Sequence, residues 1–409
     1  MVKLTSRKNL LKGLLLLGFL SCTRPQKGVV YFWHVMGGPI GKRLEQMIQE
    51  FNQKHPEGEI KSVQMGSYDA LAQKLMGAIA SNSPPTISQM YESWTDQFFK
   101  AGCLEPLQHF IERDSSFDIS DFYPVFIEDN TFESLIVTLP FNKSLPVFYY
   151  NATIFDSTGL KRFPENWVEF REACTKLKKL KIWPTSWPID VWYFGSMVYQ
   201  EGGELFNQNT KKPMFHSPAG VRVLEYLVDL VKDSLFYLNP GFQRQDEFLM
   251  GNVAMIPASI VSWAFLKGRP KFKMAVAPFP YGRYKKVVIA GTNIGMFKNA
   301  TPDQKRLAWE FIKWFLAPEQ QVKWTRASYY LPTRKSTIKL PEFKEFLKEN
   351  PDYEKIIAQL EFATTEPKTK EWFTGRIYLN EALEEAMRLE RTPEAALDNA
   401  AKRFLVDLE

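Results

Sequence analysis

The chain has 409 residues, which is too long for one ordinary hydrophobic core, so two domains are expected. Its hydrophobic and charged fractions, 45% and 24%, are those of a globular protein. The formal net charge of +6 is spread along the chain, without the dense basic patch and recognisable module that nucleic-acid binding requires.

The first 22 residues have the pattern of a bacterial secretory signal. Residues 13–20, GLLLLGFL, are apolar, follow several basic side chains, and are too short for an ordinary membrane span. The run ends in FLSC, and a small residue before Cys22 resembles a bacterial lipobox. We predict a lipoprotein signal peptide over residues 1–22, with Cys22 acylated as the mature N-terminus. The alternative is plain secretion with cleavage near Ser21.

Strand and helix patterns alternate after a short polar tether. A strand over residues 29–33 precedes an amphipathic helix that ends at His55-Pro56. A strand over residues 60–64, a further helix, and a short strand over residues 86–90 follow. This βαβαβ order predicts a parallel α/β sheet.

Residues 138–151, TLPFNKSLPVFYYN, interrupt a strand-forming segment with a polar island between Pro140 and Pro146. Proline lacks a backbone donor and resists central strand positions. We therefore predict that the chain leaves one sheet here and enters another. Further crossings are predicted at residues 288–292 and 331–335.

The alternation resumes in the second half of the chain. Strands are predicted over residues 253–256, 274–277, 287–290 and 294–297, the last two as a pair broken by glycine. Thr301-Pro302-Asp303-Gln304 predicts a helix start with a capping box, and Thr392-Pro393 starts the final helix in the same way.

These patterns predict two α/β lobes with a ligand cleft between them. The predicted first lobe comprises residues 28–143 and 290–332, and the second comprises residues 144–289 and 333–409.

No catalytic or metal-binding signature is present. The four His residues form no HExxH motif or metal-ligand pair, and neither GxSxG nor GxxxxGK[ST] occurs. We therefore predict a protein that is not an enzyme and has no cofactor, although a glycosidase-like carboxylate pair stays open. Cys103 and Cys174 could pair in an oxidising compartment or be two free buried thiols.

Segments along nearly the whole mature chain resemble the extracellular solute-binding proteins of ABC importers, and more narrowly those that bind sn-glycerol-3-phosphate. The resemblance rests, in order, on SYDALAQKLMGAIASNSPPTISQMYE, LPFNKSLPVFYYN, SWPIDVWYF, GNVAMIPAS, VIAGTNIGMF, AWEFIKWFLAPEQQVKWTRASYYLPTR and TPEAALDNAAKRF. It implies the type II periplasmic binding protein fold, with discontinuous lobes joined by hinge crossings. It also implies a monomer that hands its solute to a separate ABC permease.

The resemblance also implies the ligand contacts. They are Tyr68, Glu92, Ser144, Trp187, Trp192, Ser259, Gly291, Tyr330 and Arg376. Arg376 would grip a phosphate as a bidentate donor, Glu92 and Tyr68 would meet glycerol hydroxyls, and a Trp would cover the apolar edge. Lys143 stands where the family has a Ser.

The predicted function is that of a lipid-anchored binding protein in the periplasm or at the cell surface. Its ligand would be sn-glycerol-3-phosphate or a glycerophosphodiester such as glycerophosphocholine, and its partners the membrane and permease subunits. Within the same class, a sugar or oligosaccharide is the alternative ligand. A secreted hydrolase and a lipid-anchored adhesin without a small ligand are the alternatives from other classes.

Overall fold

The structure is a computed structural model that describes residues 28–239, 241 and 243–408. The predicted signal peptide and Cys22 lie outside these residues. The strands, in chain order, are β1 (Gly28–His34), β2 (Gly58–Gln64), β3 (Ile87–Met90), β4 (Leu104–Glu105), β5 (Thr131–Phe132), β6 (Leu135–Ile136), β7 (Leu139–Ser144), β8 (Pro146–Asn151), β9 (Trp183–Trp187), β10 (Phe206–Asn207), β11 (Lys212–Pro213), β12 (Phe236–Leu238), β13 (Val253–Ser259), β14 (Met274–Pro278), β15 (Val287–Val288), β16 (Ala290–Phe297) and β17 (Ala363–Thr364).

The helices cover both faces of the sheets. They are α1 (Gly38–Lys54), α2 (Tyr68–Ala80), α3 (Glu92–Lys100), α4 (Gln108–Ile111), α5 (Pro124–Asn130), α6 (Ala152–Ser157), α7 (Trp167–Lys178), α8 (Val191–Gln200), α9 (Pro218–Lys232), α10 (Gln243–Met250), α11 (Trp263–Leu266), α12 (Pro302–Phe315), α13 (Pro318–Ser328), α14 (Pro341–Glu349), α15 (Asp352–Ala358), α16 (Lys370–Met387) and α17 (Pro393–Leu408). The predicted capping box at α12 is confirmed, because Thr301 and Gln304 each accept a hydrogen bond from the other's backbone N–H.

The first sheet has the order β2-β1-β3-β16-β4, with β7 also paired to β16. The predicted βαβαβ unit is confirmed, since β1 lies parallel to both β2 and β3. The sheet is mixed rather than wholly parallel, because β16 runs antiparallel to β3, β4 and β7. The cause is topological: β1 to β3 end at the hinge side of the lobe, whereas β16 enters the lobe from that side.

The second sheet has the order β12-β9-β13-β8-β14. Its strand β8 begins at Pro146, two residues after β7 of the first sheet ends at Ser144. The stretch between Pro140 and Pro146 is thus the passage from one sheet to the other. The lobe limits derived from the sequence stay a prediction.

The return passage differs from the predicted strand pair. β15 pairs with β17, not with the strand that follows it, and β16 continues through Gly291 without a break. The glycine does not interrupt the strand because its φ of 106° lets the backbone pass Asn142 closely.

Each sheet has its own apolar core. Residues at the third passage alternate between these cores: Tyr329 and Leu331 pack into the core of the second sheet, and Tyr330 packs into the core of the first. Residues 329–331 therefore pack against both cores and connect the two halves of the molecule. Within the part of the chain that the structure describes, no helix is both long and apolar enough to span a bilayer.

Cys103 and Cys174 are free thiols in different halves of the molecule. Cys174 is fully buried on α7, and burial raises the pKa of its thiol far above the ordinary range. Cys103 is half-buried. In a chain that begins after Cys22, a thiol reagent should therefore label Cys103 in the native state and Cys174 only in denaturant.

The control for this labelling is Cys103→Ser, which should leave no thiol reactive in the native protein. Failure to label either thiol under non-reducing denaturing conditions would show that the two cysteines are bridged.

Candidate ligand-binding site

Polar and aromatic side chains gather where β3 and β7 of the first sheet end. Gln89 Nε2 donates to the Tyr68 hydroxyl at 3.4 Å and to Asn142 Oδ1 at 3.3 Å. The ring of Tyr68 lies 4.8 Å from that of Tyr91. Because carboxyl ends of α/β strands carry ligand sites, this edge of the first lobe is a candidate site wall.

Tyr330 adds a further hydroxyl to this wall. Its ring stacks on Trp324 at 5.8 Å, and it interacts with Tyr68 and Asn142. Burial raises the pKa values of Tyr68, Tyr91 and Tyr330. Their hydroxyls therefore stay protonated at neutral pH and can donate hydrogen bonds to a ligand.

Glu92 begins α3 directly beside this wall. Its Oε1 accepts from Lys143 Nζ and from Asn293 Nδ2, both at 3.2 Å. Burial, with the nearby charge of Asp129, raises the pKa of Glu92 to about 8. The Glu92 side chain is 19% exposed and is therefore partly open to solvent.

Arg376 on α16 lies in the second lobe between two carboxylates. Its Nε donates to Glu366 Oε2 and its Nη2 to Asp190 Oδ1, each at 3.1 Å. Attraction to Glu366 and Asp190 outweighs burial and raises the pKa of Arg376, which stays charged. The Arg376 side chain is 43% exposed and therefore open to a ligand.

Trp192 is close to Arg376 because Asp190, which binds Arg376, also caps α8, the helix that contains Trp192. Asp190 caps α8 by accepting from the Trp192 backbone N–H at 2.9 Å. The Trp192 indole N–H donates to the carbonyl of Val288 at 2.8 Å, next to the return passage. This places one face of the candidate site against the hinge.

Trp187 has a different environment. Its side chain is 1% exposed and lies among Phe148, Phe236 and Phe279 in the second core. Trp187 therefore packs in this core, and its ligand contact stays a prediction. Trp192 is 8% exposed and belongs to the same core, but its indole N–H reaches the return passage at Val288.

Three smaller residues predicted as contacts lie at the passages between sheets. Ser144 ends β7 opposite Ala290, Ser259 ends β13 opposite Pro146, and Gly291 lies opposite Lys143. The Ser259 hydroxyl accepts from the Val261 N–H at 3.3 Å, so it already caps a local turn.

The two walls face each other across the hinge. Helix α16, which carries Arg376, begins at Lys370, whose backbone N–H donates to Asp96 Oδ2 of α3 at 3.0 Å, and the positive charge of Arg376 lowers the pKa of Tyr91, opposing the effect of burial. Lys368 precedes α16 and donates to the carbonyls of Glu128 and Thr131 in the first lobe, at 2.5 and 2.7 Å. Tyr68, Glu92, Tyr330 and Arg376 thus lie near one another, and the ligand contacts derived from the sequence stay predictions.

Sequence reasoning missed Asn142, Asp190 and Glu366 as site residues. Asn142 was visible in the polar island between the prolines, and Asp190 stands directly before an apolar helix, as caps do. Nothing local marks Glu366, whose partner Arg376 follows ten residues later.

The described residues also form a cavity that none of the site residues above lines. A cavity of about 580 Å³ lies on the second lobe against Trp167, Tyr226 and Tyr281, away from the residues above. Among residues 28–239, 241 and 243–408, no group of three or more His, Cys, Asp or Glu side chains could hold a metal ion.

Comparison with known sequences identifies clear relatives. The family profile described as bacterial extracellular solute-binding protein matches residues 46–355. The sn-glycerol-3-phosphate-binding periplasmic protein UgpB of Yersinia pestis bv. Antiqua (strain Antiqua) is 27% identical over 400 residues, covering 91% of this chain and 90% of that protein. UgpB of Escherichia coli (strain K12) is 26% identical over 397 residues, with the same coverage.

Solved structures share the fold. UgpB from Mycobacterium tuberculosis in complex with glycerophosphocholine aligns with a TM-score of 0.84 at 22% identity, over 94% of this chain and 99% of that one. The substrate-binding protein Lmo0181 from Listeria monocytogenes with cycloalternan gives 0.82 at 24% identity, over the same shares. Maltose-bound MalE3 of T. maritima gives 0.80 at 22%, over 92% and 99%. These likenesses confirm the predicted fold class.

Proposed function

The chain belongs to the bacterial extracellular solute-binding protein family, and we propose that it captures a glycerophosphodiester or sn-glycerol-3-phosphate between its lobes for an ABC permease. The observation that carries this proposal is a half-exposed, charged Arg376 in one lobe that faces the Tyr91–Tyr68 wall of the other. A guanidinium offers two parallel donors to phosphate oxygens, and the phenol and carboxyl groups suit glycerol hydroxyls.

The charges around Arg376 favour a phosphodiester over a phosphomonoester. Asp190 and Glu366 flank the guanidinium, so their two negative charges exceed its single positive charge. A monoester carries about −1.5 to −2 at neutral pH, because its second pKa is near 6. A diester carries one negative charge and is repelled less.

A cationic head group on the ligand would increase the binding affinity further in the same surroundings. The carboxylates of Asp190 and Glu366 attract a cation, and the ring of Tyr91, which is only partly buried, can stack against a quaternary ammonium. Glycerophosphocholine combines a glycerol, a phosphodiester and such a cation, and it is the molecule bound to the M. tuberculosis UgpB.

The proposed role includes no bond-breaking step. Glu92 and Asp129 lie on the same lobe, and both bind Lys143 and Asn293 instead of flanking the cleft as a glycosidase pair would. The chain would act as a monomer, anchored by a lipid on Cys22, and would need no cofactor. Closure of the hinge on the solute would present both lobes to the permease.

Titration calorimetry on the mature chain with Cys22→Ser tests the ligand. We expect glycerophosphocholine to bind at least about 10-fold more tightly than sn-glycerol-3-phosphate, a difference of about 1.4 kcal/mol. Maltose should give no heat. Binding of maltose or a maltodextrin without a response to either phosphate compound would reject this proposal in favour of a sugar-binding protein.

A further inference from the structure

Lys143 is a fully buried cation on β7, in the polar island between Pro140 and Pro146. Lysine is almost never fully buried unless it is paired, because removing its charge from water is costly. The charge of Lys143 therefore requires partners inside the protein.

The side chain of Lys143 binds two carboxylates. Its Nζ donates to Asp129 Oδ2 at 2.6 Å and to Glu92 Oε1 at 3.2 Å. Asn293 Nδ2 donates to the same two oxygen atoms at 3.1 and 3.2 Å. Glu92, which faces the proposed ligand, is thereby fixed by a buried cation and an amide.

The backbone of Lys143 meets the other two passages between the sheets. Its carbonyl accepts from the Leu331 N–H at 2.8 Å, at the third passage. Gly291, in the return passage, lies opposite Lys143 in the β7–β16 pair. One residue is thus in contact with both other passages and with the candidate ligand acceptor.

The charges facing Glu92 come from several elements. Asp129 on α5 raises its pKa and Lys143 on β7 lowers it, while burial raises it most. Glu92 also interacts electrostatically with Lys368, before α16, and with the phenol of Tyr91. Without Lys143, two carboxyl groups would face each other in a buried place and one would hold its proton more tightly.

We propose that Lys143 is a positioning residue that holds the Glu92 carboxyl at the hinge, in the orientation and charge state in which it receives a ligand hydroxyl. This inference rests on the proposed function. Lys143 touches no ligand itself and acts through Glu92, and it also links the position of Glu92 to the passages that move when the lobes close.

The pH dependence of glycerophosphocholine affinity tests the role of Lys143. The diester does not titrate near neutral pH, so a rise of affinity with pH reports the ionisation of Glu92, whose pKa is about 8. In Lys143→Met we expect affinity at pH 7.5 to fall about 10-fold and the midpoint of the rise to move up by about one to three pH units. Adding Asp129→Asn should bring the midpoint back down.

The single Asp129→Asn variant keeps the test decisive if Lys143→Met folds poorly. Lys143 then pairs with Glu92 alone, so the midpoint should fall below the wild-type value. A wild-type midpoint in Lys143→Met, or an unmoved midpoint in Asp129→Asn, would overturn the inference, because a packing role alone does not move a titration.

A ligand-free measurement separates failure of this inference from failure of the proposed function. Glu92 has a folded pKa of about 8, above its ordinary value of 4.5, so the folded state holds a proton that the unfolded state loses. Its contribution to the free energy of unfolding therefore falls as pH rises from 4.5 to 8, and in Lys143→Met the fall should continue above 8.

If the stability profile moves as expected but glycerophosphocholine does not bind, the proposed ligand is wrong and the hold of Lys143 on Glu92 stands. An unchanged stability profile overturns the inference whatever the ligand.

Discussion

The Arg376→Ala variant is expected to bind glycerophosphocholine about 100-fold more weakly than the wild-type chain, a loss of about 3 kcal/mol. The guanidinium supplies the charge-assisted hydrogen bonds to the phosphate, and alanine leaves Asp190 and Glu366 beside it without a neutralising cation. Affinity should therefore fall for two reasons: the phosphate loses its hydrogen-bond donors, and the two carboxylates then repel it. Titration calorimetry with glycerophosphocholine measures the change.

Arg388→Ala is the matched control for this experiment. Arg388 lies at the C-terminal end of the same helix and binds Glu384 in an exposed pair at 2.8 Å. Its loss removes the same charge from the chain but no ligand contact, so affinity should stay within about 2-fold of wild type.

Glu366→Gln should act in the opposite direction to Arg376→Ala. The amide oxygen still accepts from Arg376 and from the Trp372 indole, but the negative charge beside the phosphate is gone. Affinity for sn-glycerol-3-phosphate should rise more than affinity for the diester.

Wild-type affinity for both compounds in Arg376→Ala would show that the phosphate is held elsewhere.

Local sequence signals predicted the elements that depend on neighbouring residues. The capping box of α12 is complete within four residues, so Thr301-Pro302-Asp303-Gln304 was enough to locate it. The end of α1 at Lys54, with His55 as its cap before Pro56, follows from the same kind of short-range constraint. The passage at Ser144 was visible because prolines stand on both sides of a polar island.

Contacts between distant residues could not be predicted in this way. The sequence of β16 does not show that it enters the first sheet antiparallel to β3, about two hundred residues earlier. Asp190 and Arg376 meet across 186 positions. The same limit applies to Trp187, because the sequence alone does not show how deeply an indole is buried.

Lys143 is the clearest example of a residue whose contacts the local sequence does not reveal. A lysine in a polar island reads as a surface residue, and only the fold reveals that Asp129, on the preceding helix, and Glu92, beyond β3, meet its ammonium group. The resemblance to the family pointed away from it as well, since the family has a serine there. Buried ion pairs assembled from separate elements have no local signature.

Gly291→Ala is expected to lower the free energy of unfolding by about 4 kcal/mol. Gly291 has a φ of 106°, which side chains rarely adopt, and a Cβ there would lie 1.7 Å from the carbonyl oxygen of Asn142. The clash is with backbone and cannot be relieved by a rotamer change. Urea unfolding of the ligand-free chain measures the effect.

Gly77→Ala is the control for this substitution. Gly77 lies inside α2, where an added Cβ meets nothing within 4 Å, so alanine should stabilise the chain by about 0.5–1 kcal/mol. The two variants add the same methyl group and differ only in backbone conformation and space. Opposite signs are therefore expected from the same chemical change.

The effect of Gly291→Ala should also reach the ligand, because Gly291 lies opposite Lys143 in the β7–β16 pair. If the backbone of β7 moves to make room, the hold of Lys143 on Glu92 weakens and glycerophosphocholine affinity falls along with stability. A variant that unfolds as easily as predicted but binds with wild-type affinity would show that the passage and the acceptor are independent. A variant as stable as wild type would show that β16 tolerates a side chain where the structure leaves no room.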